Sequence, residues 1–172
     1  MLQKDFIAKI EQEFGLEPAR ITTVAEKKIA MSVDSGQALS LLSYLKNNDF
    51  IQMSLITAVD WIEENRFELV YTLVSWEKNL TVSVSTFIPR SEPRMVSVRH
   101  IWPTAKYYEW DINEFFGIVF SGHPEMGHPL FLEGWSEKPP LRKDFDPRAY
   151  SYERFPSREY DYELENKGRV VE

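Results

Sequence analysis

The alternation of hydrophobic and polar residues predicts two helices and two strands in the first 46 residues. Apolar side chains at helical spacing precede Gly15, a residue type common at helix ends, and indicate an amphipathic helix at the start of the chain. A period of two over residues 21–24 and 29–33 predicts strands with one buried face. A second helix is predicted from Ser35 to about Lys46, because four apolar residues recur there at i, i+3, i+4 and i+7.

Three further stretches alternate in the same way and predict an antiparallel sheet. They cover residues 51–55, 67–73 and 80–84, and the turns between them are short enough for hairpins. Pro89 and Pro93 are expected to end the sheet, since proline cannot donate to a strand ladder. Helices packed on an antiparallel sheet make α+β the predicted fold class.

The composition of the chain changes after Trp102. Of the 24 aromatic residues, 15 lie between Trp102 and Tyr162, together with 7 of the 10 prolines. A third helix is predicted from about Pro103 to Gly117, and the prolines beyond it exclude any long helix or central strand. We therefore expect an extended, proline- and aromatic-rich C-terminal segment after the third helix.

Two parts are predicted for the chain, an α+β domain over residues 1–117 and an extended segment over residues 118–172. The apolar side chains of such a segment need a surface to lie on, either its own domain or a partner protein. Its aromatic residues alternate with arginines, which is typical of interface anchors. These arginines are Arg142, Arg148, Arg154 and Arg158. The acidic run over residues 158–165 is expected to be a solvated tail.

Composition also removes several classes of function. The chain contains no cysteine, which excludes disulfides and cysteine ligation of iron–sulfur clusters or zinc by this chain. Its formal net charge of −7 disfavours nucleic acid as a partner. The longest uncharged runs are eleven residues, whereas about 20 apolar residues are needed to cross a bilayer. No membrane span and no signal peptide are expected, and the chain is expected to stay in the cytoplasm.

Three histidines are the candidates for a metal site. His123 and His128 each lie in a Gly-His-Pro repeat, and His100 lies upstream. A metal site needs three or four converging ligands, and this spacing fits no established zinc pattern. Histidines in turns whose rings bind backbone groups or pack at an interface are therefore favoured, and a metal-binding module remains an alternative.

Three acidic residues, Glu109, Asp111 and Glu114, cluster on the predicted third helix. No nucleophile or obvious base lies beside them, and the chain has no phosphate loop or dinucleotide fingerprint, so catalysis is not expected. A carboxylate on the apolar side of this helix would need a cationic partner. Arg142 and Lys143 are the candidates for that pairing, and a solvated acidic face is the alternative.

Two separated blocks of sequence resemble a known family. Residues 102–124 read WPTAKYYEWDINEFFGIVFSGHP, and residues 140–145 read PLRKDF. The 30-kDa subunit family of respiratory complex I has the similar pattern W-x-x-A-x-x-x-E-R-E-x-x-D-x-F-G-I-x-F-x-G-H-P, followed by P-L-R-K-D-F. The preceding order of helices and strands is also similar to that family's α+β domain, so the resemblance covers most of the chain.

The chain departs from the family pattern at a few positions. Trp110 stands where the pattern has arginine, Asp111 where it has the second glutamate, and Glu114 where it has aspartate. Residues 125–130, which read EMGHPL, replace an arginine-rich stretch of respiratory members. With these departures the chain resembles the branch found in membrane-bound [NiFe] hydrogenases and related ferredoxin-linked complexes. The equivalent subunit of a quinone-reducing complex I is the alternative.

The resemblance implies an accessory, non-catalytic subunit in the peripheral arm of a membrane-bound, ion-translocating oxidoreductase, on the cytoplasmic side of the cell membrane. The implied partners are a large catalytic subunit and a small iron–sulfur subunit, which would hold the iron–sulfur clusters and, in hydrogenases, a nickel–iron site. No cofactor is implied in this chain. An independent small-molecule-binding domain is the competing class.

The residues expected to bind partners lie in and between the two blocks. Gly117 and Gly122 allow close backbone approach there, and Arg142, Lys143 and Asp144 are expected to pair with Glu109, Glu114 or partner charges. The full set is Trp102, Tyr108, Glu109, Glu114, Phe116, Gly117, Gly122, His123, Pro124, Trp135, Leu141, Arg142, Lys143, Asp144 and Phe145.

Overall fold

A computed structural model describes residues 3–156 of the chain. Arg158 and the acidic run over 158–165 lie outside the described residues. The described part contains four α-helices and seven strands, with short 3-10 turns at Pro18–Arg20 and Ile62–Glu64. In chain order the elements are α1 (Gln3–Phe14), β1 (Ile21–Ala25), β2 (Lys28–Val33), α2 (Ser35–Asn47), β3 (Gln52–Trp61), β4 (Arg66–Ser75), β5 (Leu80–Pro89), β6 (Arg94–Val96), α3 (Ala105–Phe116), β7 (Val119–Ser121) and α4 (Pro147–Arg154).

The main sheet has five strands in the order β1-β2-β5-β4-β3. Its neighbouring strands are antiparallel except β2 and β5, which run parallel. The predicted α+β class, with helices on a mostly antiparallel sheet, is confirmed, and the β2–β5 pair is the one departure from the prediction. It arises because α2 carries the chain from β2 to the far edge of the sheet. The β3–β4–β5 meander then returns and places β5 beside β2.

One face of this sheet is buried and holds the core. Cross-strand neighbours on that face are all buried, as in the row Met31, Val84, Tyr71 and Ile56. The helices α1 and α2 add Phe6, Ile10, Ala38, Leu41, Leu42 and Leu45 to the same core. Burial of one large apolar side chain contributes about 1.5–3 kcal/mol. The alternating apolar residues of the strands therefore stabilise the packing of this face of the sheet.

The strands β6 and β7 form a separate parallel pair in which Met95 lies opposite Phe120. The hydrophobic pattern does not predict this pair, because strands of three residues are too short to show a period. The pattern also misses α4, although Asp146 caps it by accepting the backbone N–H groups of Arg148 and Ala149 at 2.9 Å. At eight residues, α4 agrees with the expectation that prolines exclude a long helix here.

The helix α3 packs along the edge strand β3. The Tyr108 hydroxyl donates to the carbonyl oxygen of Ser54 at 2.8 Å, next to a bulge in β3 between Met53 and Leu55. The first residue of α3 is Ala105, close to the predicted start at Pro103. Of the helices in the described part of the chain, none is long and apolar enough to cross a membrane.

Candidate docking surface

Buried side chains anchor α3 to the α+β domain. Trp102, just before the helix, is 2% exposed, and its indole N–H donates to the carbonyl oxygen of Phe50 at 3.3 Å. Ala105 and Ile112 are buried on the inner face of the helix. Since this face is fixed against the core, the opposite face of α3 and the residues after it are held at the surface.

Glu109 also lies on the inner face of α3 and is fully buried. The Ser97 hydroxyl donates to its Oε2 at 2.5 Å, and the Val98 backbone N–H donates to its Oε1 at 2.6 Å. Burial raises the pKa of Glu109 to about 7, although these two hydrogen bonds and the charge of Arg99 oppose the shift. The carboxyl group therefore joins α3 to the segment after β6 and binds a proton near neutral pH.

Glu114 fixes the loop that lies beside α3. Its Oε1 accepts the backbone N–H groups of Leu130 at 2.9 Å and Leu132 at 2.8 Å, and its Oε2 accepts that of Phe131 at 2.9 Å. Hydrogen bonds from amides to a carboxylate are stronger than those between neutral groups. The loop is therefore rigidly attached while the Phe131 side chain remains 68% exposed.

Arg142 joins the second sequence block to the end of α3. Its Nε donates to the carbonyl oxygen of Phe116 at 2.6 Å, and its guanidinium lies 5.3 Å from the ring centroid of Phe67. Gly117, which ends the helix, has a φ of 75°. A Cβ at that position would lie 2.9 Å from Nη2 of Arg142 and 3.1 Å from Cγ of Pro139. The left-handed conformation thus favours glycine at 117, and a side chain there would also displace the Arg142 guanidinium.

A buried carboxylate, Asp60, ties the same segment to the sheet. Its Oδ1 accepts from Arg90 Nε at 2.9 Å, and its Oδ2 accepts the Lys143 backbone N–H at 2.9 Å. Arg90 also pairs with Asp144, which Lys138 approaches to 3.2 Å. Burial tends to raise the pKa of Asp144, but Lys138 and Arg90 outweigh it and the pKa is lowered.

His123 is buried and uses both ring nitrogens on backbone groups. Its Nε2 lies 2.8 Å from the carbonyl oxygen of Lys106, and its Nδ1 accepts the Glu125 N–H at 3.1 Å. The first bond needs a proton on Nε2 and the second needs a lone pair on Nδ1, so the ring is a neutral imidazole. The expected backbone-binding role is confirmed for His123. The described residues contain no group of three or more metal-ligating side chains.

The turn around His123 is closed by its neighbours. Gly122 has a φ of 87°, and its carbonyl oxygen accepts from Arg99 Nε at 3.1 Å. Pro124 follows at the surface.

Two of the departures from the family pattern contact each other. The Trp110 indole N–H donates to the carbonyl oxygen of His128 at 2.8 Å. Trp110 replaces an arginine of the pattern, and residues 125–130 replace its arginine-rich stretch. The indole thus helps to hold this loop over α3, together with the ion pair of 3.2 Å between Lys106 of the helix and Glu125 of the loop.

Three aromatic rings hold α4 against the extended segment. The Trp135 ring centroid lies 5.5 Å from that of Phe145 and 5.0 Å from that of Tyr150. Between Trp135 and this helix, the Leu141 backbone N–H donates to the carbonyl oxygen of Phe115 at 3.0 Å. The Leu141 side chain is 54% exposed, so it projects from a segment whose backbone is fixed.

The predicted pairing of Arg142 or Lys143 with Glu109 or Glu114 is wrong. Ser97 and Val98 hold Glu109, and backbone N–H groups hold Glu114. Sequence reasoning also missed Ser97, Asp60 and Arg90. Asp60 could have been found, because it continues the buried alternation of Ile56 and Ala58 in β3 and a carboxylate there needs a partner.

The predicted partner-binding residues fall into three groups by exposure. Buried in this chain are Trp102, Glu109 and His123. Half-buried are Tyr108, Glu114, Phe116, Gly117, Trp135, Arg142 and Phe145. Exposed are Gly122, Pro124, Leu141, Lys143 and Asp144. Among the charged members, Glu114 and Arg142 bind backbone groups, and Asp144 pairs with Arg90 and Lys138.

The sequence matches, over residues 31–151, the family model described as the respiratory-chain NADH dehydrogenase 30 Kd subunit. The matched stretch contains both sequence blocks and α3. The chain belongs to this family. The family membership inferred from the two blocks is therefore confirmed.

Relatives of this 30-kDa-subunit family member come from several kinds of respiratory complex. The mitochondrial NADH-ubiquinone oxidoreductase 30.4 kDa subunit of Neurospora crassa is 31% identical over 153 residues, 87% of this chain and 50% of that protein. A subunit of the F(420)H(2) dehydrogenase of Methanosarcina mazei is 30% identical over 132 residues, 76% of this chain and 79% of that protein. The chain thus spans about half the length of the Neurospora crassa protein.

A solved structure resembles nearly the whole chain. One chain in the structure of the membrane-bound sulfane sulfur reductase, an archaeal respiratory membrane complex, matches with a TM-score of 0.83 and 32% identity. The match covers 98% of this chain and 98% of that chain. The similarity therefore extends beyond the α+β domain into the described residues after α3.

Proposed function

We propose that this family member is a non-catalytic accessory and assembly subunit in the peripheral arm of a membrane-bound, ion-translocating oxidoreductase complex. It docks on the large catalytic subunit and the small iron–sulfur subunit, on the cytoplasmic side of the membrane. The iron–sulfur clusters belong to those partners, because this chain has no cysteine to ligate them. Support comes from relatives that are named as subunits of an NADH-ubiquinone oxidoreductase and of an F(420)H(2) dehydrogenase.

The observation that carries this proposal is a rigid segment with exposed apolar side chains. Arg142, Asp60 and Glu114 hold the backbone after α3 in place. The same stretch leaves Phe131 68% exposed and Leu141 54% exposed. Apolar side chains that project from a backbone already held by hydrogen bonds lose less backbone entropy when they bind a partner. This arrangement is typical of interface anchors.

A further part of the proposal is the hydrogenase-related, ferredoxin-linked branch of these complexes. The replacement of an arginine-rich stretch by residues 125–130 and the match to an archaeal respiratory membrane complex over 98% of the chain favour it. The quinone-linked alternative is favoured by the identity to the Neurospora crassa protein. The large subunit's sequence discriminates them: two Cys-x-x-Cys pairs indicate a nickel–iron site, and their absence indicates another acceptor.

The proposal is tested by changing the two exposed side chains in the full chain. Phe131→Asp combined with Leu141→Asp is expected to lower recovery of the partner subunits about tenfold or more, since loss of an interface anchor costs about 2 kcal/mol. Recovery is measured by affinity purification of the tagged chain from native membranes in mild detergent, followed by mass spectrometry.

A matched control is Val24→Asp, which changes a 65% exposed apolar side chain on β1. This variant should recover partners at the wild-type level. Equal recovery with the double variant and with the control would contradict the proposal. A chain that behaves as a soluble monomer in its native host would favour the independent small-molecule-binding domain.

A further inference from the structure

Trp76 is an exposed aromatic side chain that is held in one orientation. It lies in the turn between β4 and β5 and is 73% exposed, more than Trp61 at 43%. Its indole N–H donates to Oε1 of Gln52 on β3 at 2.7 Å. Tryptophan is enriched among residues that dominate binding energy, and the hydrogen bond removes part of the entropy cost of fixing the ring.

The ring lies at one wall of a surface cavity at the end of the sheet. Strand register places Lys28, Thr81, Val74 and Gln52 in a row across four strands on the face opposite the core. Together with Trp76 and Lys27 of the neighbouring turn, this row lines a cavity of about 400 Å³. Its floor is made of short or apolar side chains, and its polar walls are lysines and amides.

The cavity is positively charged in a chain with a net charge of −7. No carboxylate lines it, and within residues 3–156 neither Lys27 nor Lys28 forms an ion pair. Glu26 and Glu77 lie in the adjacent turns but do not line the cavity. Two lysines beside an exposed indole are complementary to a ligand with carboxylates and an apolar group.

We propose that this cavity is a second docking site, which takes an acidic segment of a partner protein carrying an aromatic or aliphatic residue. The apolar residue packs on the Trp76 indole, and carboxylates on either side of it pair with Lys27 and Lys28. Ile51 and Leu55, 62% and 44% exposed, extend the apolar surface beside the cavity.

This site is separate from the C-terminal segment, although Ser54, which lines the cavity, accepts the Tyr108 hydroxyl of α3. Asp60, which binds that segment, and Gln52, which binds Trp76, lie at opposite ends of β3, eight positions apart. At about 3.3 Å per residue the two are roughly 26 Å apart. The site therefore does not depend on the contacts that Asp60 makes with the C-terminal segment.

The test is site-specific photo-crosslinking in the native host. A benzophenone side chain replaces Glu77, an exposed residue next to Trp76, and the crosslinked peptide is identified by mass spectrometry. The expected result is one protein segment with net negative charge and at least one aromatic or aliphatic residue. Lys27→Glu combined with Lys28→Glu is expected to lower the crosslink yield at least fivefold.

The matched control places the same side chain at Glu63, which follows Trp61 in the turn at the opposite end of the sheet. Trp61 donates its indole N–H to Glu68, so a carboxylate contacts this indole, whereas no carboxylate lines the cavity beside Trp76. A crosslink from position 77 to lipid, to this chain's own acidic run over 158–165, or to nothing would overturn the inference. So would a yield that is unchanged by the lysine substitutions. If any of these contradicting results occurs while partner subunits still co-purify, the second docking site is wrong and the proposed function stands.

Discussion

Arg142 caps the carboxyl end of α3, because its Nε donates to the carbonyl oxygen of Phe116 at 2.6 Å. A cation at a helix C-terminus interacts favourably with the helix dipole and with the unpaired last carbonyl groups. Arg142, from the second sequence block, therefore binds the first block within this chain. In the proposed function, docking of partners depends on the surface that this contact shapes.

Arg142→Glu is expected to loosen the segment after α3 while the α+β domain stays folded. The change removes a charge-assisted hydrogen bond and places an anion at the negative end of α3, a loss of about 2–3 kcal/mol. Limited proteolysis should cleave the variant within residues 118–146, whereas Arg142→Lys should be cleaved more slowly. Equal protection of all three proteins would contradict the capping role.

Gly117→Ala is expected to destabilise the protein by about 1–2 kcal/mol. The residue has a φ of 75°, and the new Cβ would lie 2.9 Å from Arg142. Gly36→Ala is the matched control, because no heavy atom lies within 4 Å of a Cβ there. Since that site is in the first turn of α2, alanine should be neutral or stabilising by up to about 1 kcal/mol. Both values are measured by urea unfolding, and similar effects at both sites would contradict the packing argument.

Glu109 predicts a loss of stability with rising pH. Its pKa is about 7 in the folded chain, and an unfolded glutamate titrates at about 4.3. Between these values the folded state binds more protons, so the free energy of unfolding falls by about 4 kcal/mol as pH rises through the window.

Glu109→Gln removes this pH dependence and keeps hydrogen-bonding groups at the same positions. The free energy of unfolding of the variant minus that of the wild type should therefore increase from pH 4.5 to 7.5, because only the wild type loses stability over this range. Glu13→Gln, on the exposed side of α1, is the control. A difference that stays constant with pH would refute the protonation of Glu109.

Asp60 and Arg90 should show a large coupling free energy. Asp60 is buried and accepts from both Arg90 and the Lys143 backbone, so removal of either charge leaves the other poorly paired. A double-mutant cycle with Asp60→Asn and Arg90→Gln is expected to give a coupling of about 1–3 kcal/mol in urea unfolding. Additive effects would show that the ion pair does not tie the segment to the sheet.

Acid should weaken the neighbouring contact made by Asp144. Its pKa is lowered in the folded chain, since Lys138 and Arg90 outweigh the effect of burial. A lowered carboxyl pKa stabilises the folded state above the unfolded pKa, and this stabilisation is lost as pH falls through the folded value. Asp144→Asn should therefore be less stable than the wild type at neutral pH and approach it at low pH.

The long elements could be predicted from sequence because each of them repeats its apolar positions several times. The stripe of α2 and the alternation of β4 and β5 are examples. By contrast, β7 has three residues, and α4 depends on the cap at Asp146 instead of an apolar face. Short elements therefore fall below what periodicity can detect.

The location of the candidate site could be predicted, but its contacts could not. The two blocks identified α3 and the segment around Arg142, and the structure brings both together. The expected ion pairs with Glu109 and Glu114 were wrong because a carboxylate or guanidinium can bind backbone groups as well as opposite charges. Which backbone N–H or carbonyl lies within reach is set by loop geometry, which residue types alone do not specify.

The central claim is tested most directly by purifying the tagged wild-type chain from membranes of its native host in mild detergent and identifying what co-purifies. The proposed function predicts a stoichiometric complex that contains a large catalytic subunit, a cysteine-containing iron–sulfur subunit and membrane proteins. Recovery of the chain alone as a monomer of about 20 kDa would contradict it.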